Sequence, residues 1–340
     1  MAFRQRFFVA YFICVYSILE LDFSFSLYLF LYILPIVNVL VKKRELFRIM
    51  IHRVFKIVPL FQLLLCLAIP SFSAETSSSS AQSLSSATLS SNSVVSSSST
   101  PLPKWQTLPE MKAPWMKGER LEYELSWGFI TAGYASLEVK PRNDGKVEFL
   151  TYATANKTVN KFYPVHDTVY TLVRKKGLMT DVFRKSLHEG TFHNKSLIRF
   201  DRDNKKAFLS DTVFKDAVNH YVKRSADTSV TIGGLEHSIM SAFYLVRTLP
   251  LKEGATSRFS AVSGEKRYEL KVVIHKREKI KTDLGEFNTV KVEPVLDGDG
   301  IFKSSGRIFI WFTDDEKRLP VLMQCEIKLG SIKATLLKVK

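Results

Sequence analysis

Residues 121–127 read LEYELSW, and this strict alternation of apolar and polar side chains decides the fold class. Successive side chains of a β-strand point to opposite faces, so apolar residues at every second position share one face. The stretch therefore predicts a strand with one face in a hydrophobic core and the other in water.

The same period of two recurs in residues 135–139, 268–274 and 321–329. Short turn-forming stretches separate such runs: Asn143-Asp144-Gly145, Asp203-Asn204, Ser263-Gly264, Asp283-Leu284-Gly285 and Asp297-Gly298-Asp299-Gly300. Many short strands with one wet face are typical of an antiparallel sheet that curls on itself. The sequence thus predicts a mainly β protein, a curved antiparallel sheet forming a barrel or half-barrel.

One segment, residues 235–249, has the helical period instead, with apolar side chains spaced three and four apart behind Gly233-Gly234. We predict a single packed amphipathic helix that plugs or covers the open side of the sheet. If this helix fills the concave side, the apolar interior is ordinary core. If it acts as a lid, the remaining hollow is an apolar pocket of the kind that holds acyl chains.

Residues 308–323, IFIWFTDDEKRLPVLM, place five charges between two apolar runs. Both faces of the first run are apolar, which predicts a central strand, and Pro320 suits the start of the next one. Asp314 and Asp315 are adjacent, so their side chains diverge, whereas a catalytic pair must converge. We interpret them as turn residues.

No other motif assigns a catalytic, cofactor-binding or metal-binding residue. His188 and His193 resemble a zinc-protease motif, but they are five apart instead of four, and Gly190 between them argues against a helix. Cys325 is the single cysteine of the globular part, which excludes a disulfide within it. We expect no cofactor.

The N-terminal region divides into three segments before a globular domain at residues 104–340. Residues 1–49 are an apolar extension in which the uncharged run 23–41 is long enough to form a transmembrane helix. Residues 50–74 have the basic, apolar and small-residue regions of a secretory signal, so they are a signal peptide or, if retained, a membrane anchor. Residues 75–103 are rich in serine and predict a disordered linker, which as a random coil would span about 30 Å.

Two interpretations of this region stay open. Met50 stands directly before the signal-like unit, so translation would start there if residues 1–49 are a mis-assigned extension. Alternatively, residues 1–49 are a real anchor, oriented by the basic cluster that follows residue 41. Either interpretation predicts a protein of the cell envelope, in the periplasm, with tethering to the inner membrane under the second.

The formal net charge of +16 is distributed along the chain, with +11 outside the first 74 residues. No run of basic residues in the chain is longer than three, so we predict no nucleic-acid partner. Scattered lysine and arginine residues are typical of a solvated surface, although they could also face an anionic membrane or a polyanionic envelope polymer.

Three blocks of residues resemble a known family. They are residues 118–133 with GERLEY, WG and AG, residues 241–251 with SAFYLVR and PL, and residues 310–321 with IWFTDD and LPV. Over about residues 114–337 the chain resembles the bacterial exported proteins grouped as domain of unknown function 3108. His237-Ser238 departs from the acidic residue expected before the helix, which leaves the start of the helix open.

The resemblance implies export and a β-rich fold, but no activity and no catalytic residues. At fold level the chain is also similar to periplasmic lipoprotein carriers, which hold acyl chains. We therefore expect an envelope protein without enzymatic activity that binds an apolar ligand, lipid or another envelope component, or assists envelope assembly. The alternative is a hydrolase whose site is assembled from distant residues, for example His166-Asp167 with Ser238 or Ser241.

Overall fold

The computed structural model describes residues 108–215, 221–297, 306–327 and 330–340. The predicted membrane span, export signal and serine-rich linker lie outside these residues. Within the part that is described, no helix is both long enough and apolar enough to cross a bilayer.

Fourteen strands form one antiparallel sheet among the described residues. The first seven are β1 (Glu119–Trp127), β2 (Ile130–Pro141), β3 (Lys146–Ala155), β4 (His166–Arg174), β5 (Thr180–Glu189), β6 (Phe192–Asp201) and β7 (Lys206–Phe214). The others are β8 (Val222–Thr231), β9 (Thr256–Ser263), β10 (Lys266–Thr282), β11 (Gly285–Asp297), β12 (Ile308–Thr313), β13 (Pro320–Ile327) and β14 (Gly330–Val339). The mainly β prediction is confirmed.

The strand order is β8-β7-β6-β5-β4-β3-β2-β1-β14-β13-β12-β11-β10-β9. Strands that follow each other in sequence are paired, except β8 and β9, which are the two edges, and β1 joins β14. The sheet is curved and is not a closed barrel. The segment that leaves β8 nevertheless reaches β9 at the opposite edge, where His237 pairs with Ala261 in a parallel bridge. The backbone amide of His237 donates to the Ser260 carbonyl at 2.9 Å, which fastens the two edges at that point.

The helix α1 (Ile239–Val246) packs on one face of the sheet, which we call the inner face. Tyr244 stacks on Phe149 of β3 with ring centroids 3.9 Å apart, and Phe243 contacts Phe312 of β12. Most of the helix is buried, so it fills the concave side as core instead of covering a hollow.

The helix begins four residues later than the sequence pattern suggests. The predicted first turn is instead an extended segment, because His237 is used in the bridge to β9. Ser238 then caps the helix by accepting a hydrogen bond from the Ser241 amide. The predicted span of 235–249 is wrong at its N-terminal end for this reason, and the helix also ends three residues earlier than predicted, at Val246.

Strand β12 is buried at all six positions, as its two apolar faces predict. Ile310 and Phe312 belong to the inner face, and Phe309 and Trp311 to the outer one. On the outer face the Lys291 ammonium lies 3.9 Å from the centre of the Phe309 ring, so a cation covers the aromatic surface there.

Different turns lie at the two ends of the strands. Gly118 and Lys340, where the chain enters and leaves the sheet, lie at one end, and the Arg120 amide donates to the Lys340 carbonyl there at 2.9 Å. We call this the proximal end. The turns that join β1 to β2, β3 to β4, β5 to β6 and β7 to β8 lie at the other end, which we call the distal end.

Candidate functional site

Asp314 and Asp315 lie in the turn between β12 and β13, where Arg318 contacts both of them. Asp315 Oδ1 accepts hydrogen bonds from the backbone amides of Lys317 and Arg318 at 3.1 and 3.0 Å. Asp314 instead forms an ion pair with Arg277, Oδ2 to Nε, at 2.7 Å. Asp314 Oδ1 also accepts from Arg318 Nη1 at 3.0 Å, so both carboxylates hold the turn through its own backbone and through neighbouring arginines.

His188 and His193 face each other across the β5–β6 hairpin, with Nδ1 atoms 3.2 Å apart. Gly190 adopts φ 58° in the turn between them, a conformation that favours glycine and breaks any helix. Among the described residues, no group of three or more His, Cys, Asp and Glu side chains is placed to hold a metal ion.

The residues of the hydrolase hypothesis have separate partners. His166 is exposed and contacts Thr154, whereas Ser238 and Ser241 are buried and hydrogen bond to Thr180 at 3.1 and 2.7 Å. The structure therefore does not assemble His166 with either serine.

Ser241 does pair with a different histidine. Its Oγ lies 3.2 Å from His237 Nδ1, and both residues are buried at the start of α1. Burial lowers the pKa of His237 to about 4, so the imidazole is neutral at pH 7. Because no substrate can reach a fully buried hydroxyl group, this pair closes the N-terminus of the helix and does not form an accessible site.

An open groove of about 560 Å³ crosses the outer face of the sheet from β14 to β4. Tyr134 of β2 and Tyr152 of β3 stand in it, with 46% and 43% of their surface exposed. Ser136 pairs directly with Tyr152 in the β2–β3 ladder, so the two tyrosines are diagonal neighbours on one face with a small residue between them. We call this site the tyrosine groove.

Charged and polar side chains line the same groove. Glu122 Oε1 accepts from Lys340 Nζ at 2.6 Å and from Arg120 Nε at 3.1 Å. These hydrogen bonds hold the pKa of the Glu122 carboxyl group below its usual value. His166 lies at the β4 side. The site therefore combines two ring faces with several hydrogen-bonding groups.

Beneath the β4 side of the groove, Asp167 points to the inner face and is buried. Its Oδ1 accepts from the His188 amide at 2.8 Å, and the Glu189 carboxyl group of β5 interacts with it. Burial raises the pKa of Asp167 to about 6, against these two interactions, which lower it.

A family model described as protein of unknown function (DUF3108) matches residues 122–337, from β1 through β14. The chain belongs to the DUF3108 family. None of the curated proteins compared with it matches. The DUF3108 domain is therefore the sheet together with its internal helix.

Among solved structures, the chain is similar to a β-barrel-like protein of domain of unknown function DUF1849 from Brucella abortus. They share 10% identity at a TM-score of 0.43, over 66% of this chain and 97% of the other. It is also similar, at 10% identity and a TM-score of 0.28, to a candidate exported protein with a YmcC-like fold from Bacteroides fragilis. That alignment covers 65% of this chain and 95% of the other.

The three sequence blocks that carry the DUF3108 resemblance meet at one residue, Arg247. Its guanidinium group binds both carboxylate oxygens of Glu119 at 2.6 and 2.9 Å, which joins the end of α1 to the start of β1. It also donates to the carbonyls of Lys317 and Arg318 in the turn before β13. Because the Arg247 side chain is fully buried, these contacts hold the DUF3108 fold together and do not form a ligand site.

Neither the groove nor the carboxyl pair is evident from the sequence. Tyr134 and Tyr152 lie eighteen positions apart, and only the β2–β3 register makes them neighbours. The position of Asp167 could have been noticed in the sequence, because it lies on the same face of β4 as the buried Val169 and Val173. An acid at a core-facing position indicates a special environment.

Proposed function

We propose that the protein is an exported, periplasmic protein of the cell envelope that binds its ligand in the tyrosine groove and does not transform it. The observation that carries this proposal is the pair of half-exposed rings of Tyr134 and Tyr152 in an open groove of about 560 Å³. Binding sites commonly have such volumes and combine aromatic surface with a few placed polar groups. The secretory pattern of residues 50–74 supports the location.

The chemistry of the groove favours a glycan strand of the envelope over an acyl chain. A sugar ring presents an apolar C–H face, which can stack on a tyrosine ring, and hydroxyl groups around its edge. Glu122, Ser136 and His166 offer hydrogen-bonding groups beside the two rings. An acyl chain would remove water from these polar groups without offering them a hydrogen bond, which costs free energy.

The hypothesis of an apolar ligand required a hollow under a helical lid. Helix α1 instead fills that space with Met240, Tyr244 and other buried side chains. A glycan-binding protein held in the envelope would serve the assembly role that the sequence suggests. The hydrolase alternative lacks support, because the Ser241–His237 pair is buried.

Changing both tyrosines to alanine tests the groove. We expect the protein isolated from the envelope to sediment with purified peptidoglycan sacculi, and Tyr134→Ala/Tyr152→Ala to weaken that binding by about tenfold or more. Each lost aromatic contact contributes roughly 0.5–1.5 kcal/mol, and 1.4 kcal/mol is tenfold in affinity. The measurement is the bound fraction as a function of sacculus concentration.

Phe208→Ala is the matched control, because Phe208 is a similarly exposed aromatic residue of β7, outside the groove. It should bind as the unchanged protein does. Equal binding by the double variant would contradict the proposal. If sacculi are not bound but fatty acids are, and the double variant loses that binding, the ligand is an acyl chain and the glycan assignment is wrong.

The location has its own test. Cleavage of the signal after Ser73 would leave Ser71 and Ser73 at the two positions that must be small. We expect N-terminal sequencing of the protein from the envelope fraction to begin at Ala74 or close to it. Recovery of residues 1–49 in that protein would instead establish them as a retained anchor and contradict the start at Met50.

A further inference from the structure

The distal end of strands β1–β8 carries an aromatic side chain at or beside each of its four turns. Phe129 in the β1–β2 turn is 98% exposed, and Phe162 in the β3–β4 turn is 51% exposed. Phe192 follows the β5–β6 turn, and Tyr221 lies in the β7–β8 turn, both also exposed. We call these four residues, with the described residues of their turns, the distal rim. Isolated exposed apolar residues are ordinary, but a row of them at one end of a sheet is not.

The spacing of the rim follows from the strand order. Neighbouring strands lie about 4.8 Å apart, so successive hairpin turns are separated by about 10 Å, and four turns extend over about 30 Å. The aromatic side chains therefore project from separate turns instead of forming one flat patch. A compact protein interface buries a contiguous area, whereas a bilayer surface accepts separate side chains at headgroup depth.

Lysine residues accompany the aromatic residues. Lys157 and Lys161 lie in the β3–β4 turn, and Lys215 and Lys223 flank the β7–β8 turn, all exposed. The described residues of the four turns include no carboxylate. The rim thus combines aromatic groups with positive charge.

The first three turns of the rim are fastened to each other. Asn156 of the β3–β4 turn donates through its side chain to the Thr131 carbonyl of β2, and its backbone amide donates to the Ala132 carbonyl at 2.9 Å. The Gly190 amide of the β5–β6 turn donates to the Pro164 carbonyl at 2.8 Å. A side chain at Gly190 would collide with the ring of Tyr163, which packs there. The rim residues are therefore presented with little ordering left to do on binding.

We propose that the distal rim docks the domain on an anionic lipid bilayer surface. Phenylalanine side chains bury apolar surface at the boundary between headgroups and acyl chains, tyrosine adds a polar hydroxyl group at that depth, and lysines are attracted to anionic lipids. Positive rim and negative surface are complementary, which selects this occupant over a second copy of the same basic chain. The groove lies on the face of the sheet, so docking by the rim leaves it open and does not depend on it.

A tryptophan placed at the rim reports contact with lipid directly. The full chain carrying Phe129→Trp is reconstituted in vesicles of phosphatidylcholine alone or mixed with phosphatidylglycerol, with part of the lipid brominated as a quencher. We expect quenching above that of the unchanged chain only in the anionic vesicles, by at least about twofold over the zwitterionic ones. This signal comes from residue 129 itself, so attachment of the chain through its N-terminal segment does not produce it.

Phe208→Trp is the matched control, since Phe208 is an exposed aromatic residue outside the rim, and it should show no extra quenching. Adding Lys157→Gln and Lys161→Gln to Phe129→Trp should reduce the quenching. The proposal is overturned if Phe129→Trp shows no extra quenching, or if the quenching is equal in both kinds of vesicle. It is also overturned if the rim joins two copies of the chain, seen as an oligomer that Phe129→Ser dissociates in light scattering.

Discussion

Replacing Arg247 by alanine should lower the free energy of unfolding by about 3–5 kcal/mol. The Arg247 side chain is fully buried, and Glu119, which it binds through two hydrogen bonds, is 8% exposed. Removing the guanidinium group leaves the Glu119 carboxylate buried without its partner. The same change removes two donors to the β12–β13 turn and a cation that lies 5.2 Å from the centre of the Trp115 ring.

Urea denaturation followed by circular dichroism measures this loss as a lower transition midpoint at unchanged slope. The double variant Arg247→Met/Glu119→Gln should regain a large part of it, because no unpaired charge remains. Exposed Arg142, which pairs with Asp144, provides the comparison, and Arg142→Ala should cost less than about 1 kcal/mol. A loss at Arg247 as small as this would show that the ion pair does not hold the three blocks together.

Most of the sheet could be predicted from the sequence because buried side chains recur at every second position of a strand. Residues 121–127 became β1, residues 135–139 lie in β2, and residues 268–274 lie in β10. The central position of β12 followed from its two apolar faces in the same way. The periodicity reflects which face is buried, so it needs no knowledge of the partner strands.

Features that depend on pairing between strands could not be predicted in this way. The tyrosine groove requires that Ser136 lies opposite Tyr152, and register is set by turns and bulges that composition does not reveal. The start of α1 was misplaced for a related reason. The first residues of the helical pattern are extended because His237 forms a bridge with Ala261, and this tertiary contact overrides the local helix propensity.

The largest gain in stability that we expect comes from Asp167→Asn. Burial raises the pKa of Asp167 to about 6 from a usual value of 3.8, so the folded protein binds this proton more tightly than the unfolded chain does. The stabilising contribution of the protonated carboxyl group is complete below about pH 4 and is lost as the pH rises through about 6. A shift of about two units corresponds to about 3 kcal/mol of lost stability at pH 8.

Asparagine is neutral at every pH and has nearly the same shape, and its carbonyl oxygen can still accept from the His188 amide. We therefore expect Asp167→Asn to be about 2–3 kcal/mol more stable than the unchanged protein at pH 8, with little difference at pH 4.

Urea denaturation at pH 4 and pH 8 separates this account from a simple packing effect, which would be the same at both values. Asp144→Asn is the matched control. Asp144 is exposed, and a hydrogen bond from Arg142 lowers the pKa of its carboxyl group, so this replacement should give no gain at pH 8. An Asp167→Asn variant without a gain at pH 8, or with an equal gain at pH 4, would contradict the raised pKa of Asp167. A gain confined to high pH would show that a buried acid directly beneath the groove lowers the stability of the domain and that asparagine could replace it. Destabilising ionisable groups of this kind concentrate at functional sites.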